Sequence, residues 1–181
     1  MKKYALVLVL FLLCGRGAAQ KNEFSPEFTA LRVQMDVDIF QPTESDYRTV
    51  RVLKNPYQKY QAALRSRKEN LEMRYHLEPV SDSAPFSQMP HVQVARTVTS
   101  AAVNDEEAVI AFHEISSTDL EMFNADWGQT VLFRPKSDFS GYAFCKMVTL
   151  HKEGRGTVSV FYLFDDANNP ALDERYFILR F

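Results

Sequence analysis

"GYAFCKMVTLHKEGRGTVSVFYLFDD", residues 141–166, carries the reading on which the fold turns. Two runs rich in β-branched and aromatic residues flank Glu153-Gly154-Arg155-Gly156, which predicts a long β-hairpin with a glycine-bearing connection. Within it "YAFCKMV" and "VSVFYLF" are apolar at odd and even positions alike. Strands of that kind need cover on both surfaces, from helices or a second sheet. Cys145 falls mid-strand with Ala143 and Met147 on its own face, apolar surroundings that keep a thiol protonated and inert.

Downstream, "DDANNPALDE" (165–174) forms a polar exit loop and "RYFILRF" (175–181) a last strand with an aromatic end. An aromatic, alternating C-terminus resembles the closing strand of a small outer-membrane β-barrel. The hairpin argues against that alternative, because barrel strands alternate apolar with polar. Gly128, Gly141, Gly154 and Gly156 are also the only glycines after residue 20. The expectation is a water-soluble sheet.

Upstream, "LRVQMDVDI" (31–39) alternates without a fault and reads as a half-buried strand, followed by a weaker one in "YRTVRVLK" (47–54). Asn55-Pro56 reads as the start of the main helix, about 56–69, with Tyr57, Tyr60, Ala63 and Leu64 as its apolar stripe. Period two returns in "LEMRYHL" (71–77), and the proline-rich 78–90 is a loop. Residues 91–103 read as a strand with helix as the alternative, and 107–115 as another strand. A short second helix at about 118–125 is suggested by a Thr118/Glu121 capping box and by Gly128 beyond it, and 130–136 returns to strand. The sum is an α+β fold: a largely antiparallel β-sheet of roughly seven to nine strands with one main helix packed on it.

The N-terminus places Lys2 and Lys3 before an apolar run from Tyr4 to Cys14, then Gly17-Ala18-Ala19. This is the pattern of a secretory signal peptide spanning 1–19, too short for a membrane span. Leu13 before Cys14 argues against a lipoprotein anchor. The leader and the mature Gln20 resemble those of Gram-negative envelope proteins, which implies a periplasmic or secreted protein. Residues 20–181 then form a single domain, with no transmembrane helix after cleavage.

The formal net charge is −2, and loss of Lys2, Lys3 and Arg16 makes the mature chain more acidic, so nucleic acid is not expected as a partner. A hydrophobic content of 46% with 14 Phe and 8 Tyr supports a sizeable core rather than disorder. Cys145 alone remains after cleavage, so no internal disulfide is available.

Catalytic patterns are sparse. No GxSxG, SxxK, CxxC, glycine-rich phosphate loop or helical His pair occurs. His113 and Glu114 fall on opposite faces of a strand. Asp36, Asp38 and His113 would be the members of a dispersed hydrolase site, the enzymatic alternative. Asp165, Asp166, Asn168 and Asp173 offer the oxygens of a calcium loop but lack EF-hand spacing and its glycine. No cofactor is implied.

One charge asymmetry stands out. Arg48, Arg51, Lys54, Lys59, Arg65, Arg67, Lys68 and Arg74 crowd residues 48–74 against only Glu69 and Glu72, with Tyr47, Tyr57, Tyr60 and Tyr75 among them. Such segregation suits a face for an anionic lipid headgroup, a polysaccharide or an acidic envelope protein. The expected function is therefore an exported, non-catalytic binding or envelope-assembly module.

Overall fold

The computed structural model describes residues 23–84, 86–105 and 108–181. The signal-peptide reading of residues 1–19 and the mature start at Gln20 lie outside the described residues, as do Glu106 and Glu107.

The hairpin forms as β7 (Phe144–Lys152) and β8 (Gly156–Phe164), with Cys145 opposite Leu163 and His151 opposite Thr157. It lies inside a seven-stranded, fully antiparallel sheet. The other members are β2 (Arg48–Thr49), β3 (Ala62–Ser66), β4 (Leu71–Pro79), β5 (Ala111–Glu114) and β6 (Trp127–Phe133). The order is β2-β3-β4-β8-β7-β6-β5, an open sheet edged by β2 and β5.

Every residue of β8 is buried, because the sheet is covered on both sides. On the first face Val158, Val160, Tyr162 and Phe164 join Leu71, Met73, Tyr75 and Leu77 of β4. Phe28 and Met35 of α1 (Pro26–Met35), Phe123 of α3 (Ser117–Phe123) and Leu172 of α4 (Ala171–Glu174) close this core. On the second face Phe161, Leu163, Cys145, Met147, Val131 and Phe133 meet Val94, Val98 and Ala101 of α2 (Pro90–Ala101). Each such side chain contributes about 1.5–3 kcal/mol when fully buried, so a layer on either side is what this composition requires.

Several segments depart from the sequence-based expectations. The alternating 31–39 stretch is mostly helix: α1 ends at Met35, and only Asp38–Ile39 is extended, as β1. Ser25 caps that helix by accepting from the Phe28 N–H at 3.2 Å, Pro26 takes a first-turn position, and Asp36 ends it in the left-handed region. Phe28, Leu31 and Met35 then share the helix's inner side, while Val33 is 77% exposed, so the start and stop residues outweigh the period of two.

The main helix expected over 56–69 is absent. Asn55 Oδ1 accepts from the Tyr57 and Gln58 N–H groups, turning the chain at Pro56 instead of starting a helix. Ala62–Ser66 then joins the sheet between β2 and β4, a tertiary pairing that overrides local helix propensity. The 47–54 strand shrinks to Arg48–Thr49.

Residues 91–103 take the helical alternative, with Val94, Val98 and Ala101 one turn apart on the buried side of α2. The short second helix is present as Ser117–Phe123, but Ser116 caps it rather than Thr118. Asn124 ends it at φ 53°, leaving Gly128 inside β6. The C-terminal strand is reduced to β9 (Leu179–Arg180), which pairs with β1 in a separate two-stranded ladder. Arg175 ties that end down through Glu69, at 2.6 Å, and Glu44, at 2.5 Å.

Candidate functional site

The sequence of β4 alternates so that Leu71, Met73, Tyr75 and Leu77 serve the first core. Glu72, Arg74, His76 and Glu78 project from the second face. At the far end of that stripe, α2 and the 55–59 turn stand over the sheet and enclose a cavity of about 600 Å³. His76 and Glu78 line its floor beside Ser159 and Thr157, their partners in the β4–β8 register. Gln93, Arg96 and Thr97 of α2 form the wall, and Asn55, Gln58 and Lys59 the mouth.

The frame around this cavity is tied down. Thr97 Oγ1 donates to Gln58 Oε1 at 3.1 Å, joining helix to turn. Ser159 shares a hydrogen bond with Thr149 at 3.0 Å, and Thr157 with His151 Nδ1 at 3.0 Å, so the floor hydroxyls are oriented from β7. Gly156, at φ +129°, lets the end of β8 run close under β4. A Cβ there would stand 2.2 Å from the Glu78 carbonyl oxygen.

Inside the frame, several polar atoms find no hydrogen-bond partner among the described residues. His76 Nδ1 and both amide atoms of Gln93 are sheltered from solvent and lie outside hydrogen-bond geometry with every described residue, the Gln93 amide acting on the Glu78 carboxyl only weakly. His76 Nε2 lies 3.7 Å from Glu78 Oε2, a loose pair. That imidazole, helped by the nearby Arg96 and Gln93, holds the Glu78 carboxyl below its usual value against the opposing effect of burial. The Arg96 guanidinium lies over the Phe86 ring, 5.4 Å from its centroid. The cavity thus presents a carboxylate, a guanidinium, an imidazole and several amides and hydroxyls within one enclosure. That set can bracket a ligand carrying many hydroxyl groups, since it offers both donors and acceptors.

The seven cations expected to form a binding face, Arg48, Arg51, Lys54, Lys59, Arg65, Arg67 and Lys68, are all exposed. They follow the β2–β3 edge, from the Arg67–Lys68 turn through Arg48 and Arg65 to Lys59 at the cavity mouth. Arg65 is paired with Glu72. None of the other six forms a side-chain ion pair with a described residue. Arg48 even stands directly opposite Arg65 in the ladder, an arrangement disfavoured without a counter-charge. Arg74 is set apart from them, buried under the Tyr60 and Phe139 rings.

The acidic loop is used for turns. Asp165 Oδ1 accepts from the Ala143 N–H and Asp166 Oδ1 from the Asn168 N–H, both at 2.9 Å, while Asp173 is exposed on α4. Among the described residues no group of three or more His, Cys, Asp or Glu side chains is placed to hold a metal ion.

Asp36, Asp38 and His113 are not brought together. Asp36 caps α1 and pairs with Arg155 at 3.3 Å, and Asp38 lies in β1 at 3.9 Å from Arg32. His113 sits on β5 beside a different cavity. Cys145 is fully buried, and burial pushes its thiol up, as its apolar sequence context implies.

His76, Glu78, Gln93, Arg96 and Thr97 were not singled out by the sequence-based reading. Their trace was present: "EMRYHLE" carries Glu72, Arg74, His76 and Glu78 at period two, and Gln93, Thr97 and Ser100 share a face once 90–101 is a helix. The strand reading of that segment scattered them.

Compared with known proteins, the chain matches no family model, no curated protein and no solved structure.

Proposed function

We propose that this is an exported, non-catalytic binding module for an acidic polysaccharide. The α2–sheet cavity receives one sugar unit and the basic β2–β3 edge runs beside the rest of the chain. The observation that carries this reading is the set of sheltered polar atoms on His76 and Gln93, without a hydrogen-bond partner among the described residues, within one cavity. Leaving such groups unpaired costs about 1–3 kcal/mol each, and a hydroxyl-rich ligand would supply their partners. The six cations with no ion pair to a described residue, Lys59 at the cavity mouth among them, support the acidic character of the ligand.

Titration of the isotope-labelled protein with oligogalacturonate, followed by amide and side-chain NMR, tests the reading. Expected are shifts at His76, Gln93 and Arg96, and weakening with added salt. Uncharged galactose oligomers should bind more weakly. An absence of shifts at these residues with tens of millimolar sugar, weaker than any useful affinity, overturns it. Binding to anionic phospholipid vesicles without a response to the saccharide would replace it with the lipid-headgroup alternative.

A further inference from the structure

On the opposite face of the sheet, remote from the polar cavity in both lining and chemistry, a second cavity of about 540 Å³ opens between the β6–β7–β8 surface and the 167–173 segment. One side of it is apolar, where Phe144 and Phe164 are stacked with centroids 5.7 Å apart beside Leu132 and Leu172, while Thr130 and the Asn168–Asn169 turn give the remainder polar character. Into this surface projects Lys146, placed by the ladder between Leu132 of β6 and Tyr162 of β8.

Lys146 is half-buried, and its amine makes no hydrogen bond or ion pair with any described residue. Its one close partner is the Tyr176 ring, with Nζ 5.0 Å from the centroid. Burial lowers its pKa, opposed by the more distant carboxylate of Asp173 on the rim. His113 of β5 is the other titratable group lining the space. A half-buried cation beside apolar walls with no direct ion pair to a described residue is unusual, because burying it costs free energy that a salt bridge would offset.

We infer that this cavity binds an amphipathic monocarboxylate, with its hydrocarbon body against Phe144, Phe164, Leu132 and Leu172 and its carboxylate paired with Lys146 Nζ. Charge complementarity selects the head group, and the stacked rings select the tail. This assignment is independent of the saccharide reading, because it uses none of the same residues.

Calorimetric titration with octanoate and with octan-1-ol tests it on the unaltered protein. Octanoate should bind about tenfold more tightly than the alcohol, with NMR shifts centred on Leu132, Phe144 and Leu172. Lys146→Met should reduce octanoate to the affinity of octan-1-ol and leave the alcohol unchanged, while Lys146→Arg should restore most of the difference. Equal affinity for acid and alcohol, an octanoate affinity indifferent to Lys146→Met, or no octanoate binding would each overturn the inference. If Lys146→Met proves not to fold, the acid-versus-alcohol comparison decides alone.

Discussion

Glu72 and Arg74 near one end of β4, and His76 and Glu78 near the other, project from the same face of the same strand. The first pair is almost wholly buried. Arg74 Nε donates to Glu72 Oε1 at 2.7 Å, its Nη1 donates to the Phe139 carbonyl at 2.6 Å, and Arg65 reaches the second Glu72 oxygen through Nε at 2.7 Å. Two aromatic rings cover the guanidinium. The second pair is looser, 3.7 Å apart, with an imidazole nitrogen and a neighbouring amide that have no hydrogen-bond partner among the described residues beside a cavity. Buried charge that is fully matched holds the fold together. Polar groups that are sheltered but unmatched cost stability, and under the proposed reading a ligand would supply their partners.

The largest effect should come from breaking the matched end. Arg74→Met removes a guanidinium that neutralises Glu72, which is 2% exposed, and leaves that carboxylate with only the exposed Arg65 as partner. A loss of about 3 kcal/mol is expected, read as a lower urea midpoint with an unchanged slope. His76→Ala at the other end should cost under about 1 kcal/mol, because no tight contact is lost. Equal losses at both ends would erase the contrast.

Acid should distinguish the ends more gently. The folded-state pKa of Glu78 is lowered, chiefly by the neighbouring His76 side chain, from a reference of 4.5. A depressed carboxylate contributes stability that is present above its unfolded value and fades as pH falls through the folded one. Melting curves collected from neutral pH down through the carboxylate range should therefore decline below about 4.5. Glu78→Gln should flatten that decline and give a curve that converges with wild type at the acid end. Parallel curves would mean that the His76–Glu78 contact does not operate in solution.

How much of this was legible beforehand follows from which forces are local. The hairpin, the β4 alternation and the α+β class depend on side-chain patterning within single strands, and they could be read directly. The element that forms 62–66 depends on a neighbour across the sheet, so Tyr57, Tyr60, Ala63 and Leu64 resembled a helical stripe when taken alone. Conversely, the alternation of Leu31, Val33, Met35 and Val37 was coincidental, and the Ser25-Pro26 start was the decisive feature. The basic edge was visible as a run of charge. The cavity was not, because it needs β4, α2 and the Asn55 turn to meet in space, and two of those three were assigned other conformations.

The smallest expected effect separates a binding residue from a structural one most cleanly. Gln93 lies on the wall of the cavity, with its carboxamide shielded from water and both polar atoms outside hydrogen-bond geometry with every described residue. If it served the fold, replacing it would cost stability. If it waits for a ligand, its burial is a standing cost offset only in small part by its effect on Glu78, and Gln93→Met, which keeps the length and removes the polar atoms, should leave stability unchanged or raise it by up to about 1 kcal/mol. The same variant should lose the oligogalacturonate response. Thermal melting and the sugar titration, performed on one preparation, check both halves together. A destabilised Gln93→Met would assign the amide to the scaffold and remove the main support for a ligand over His76.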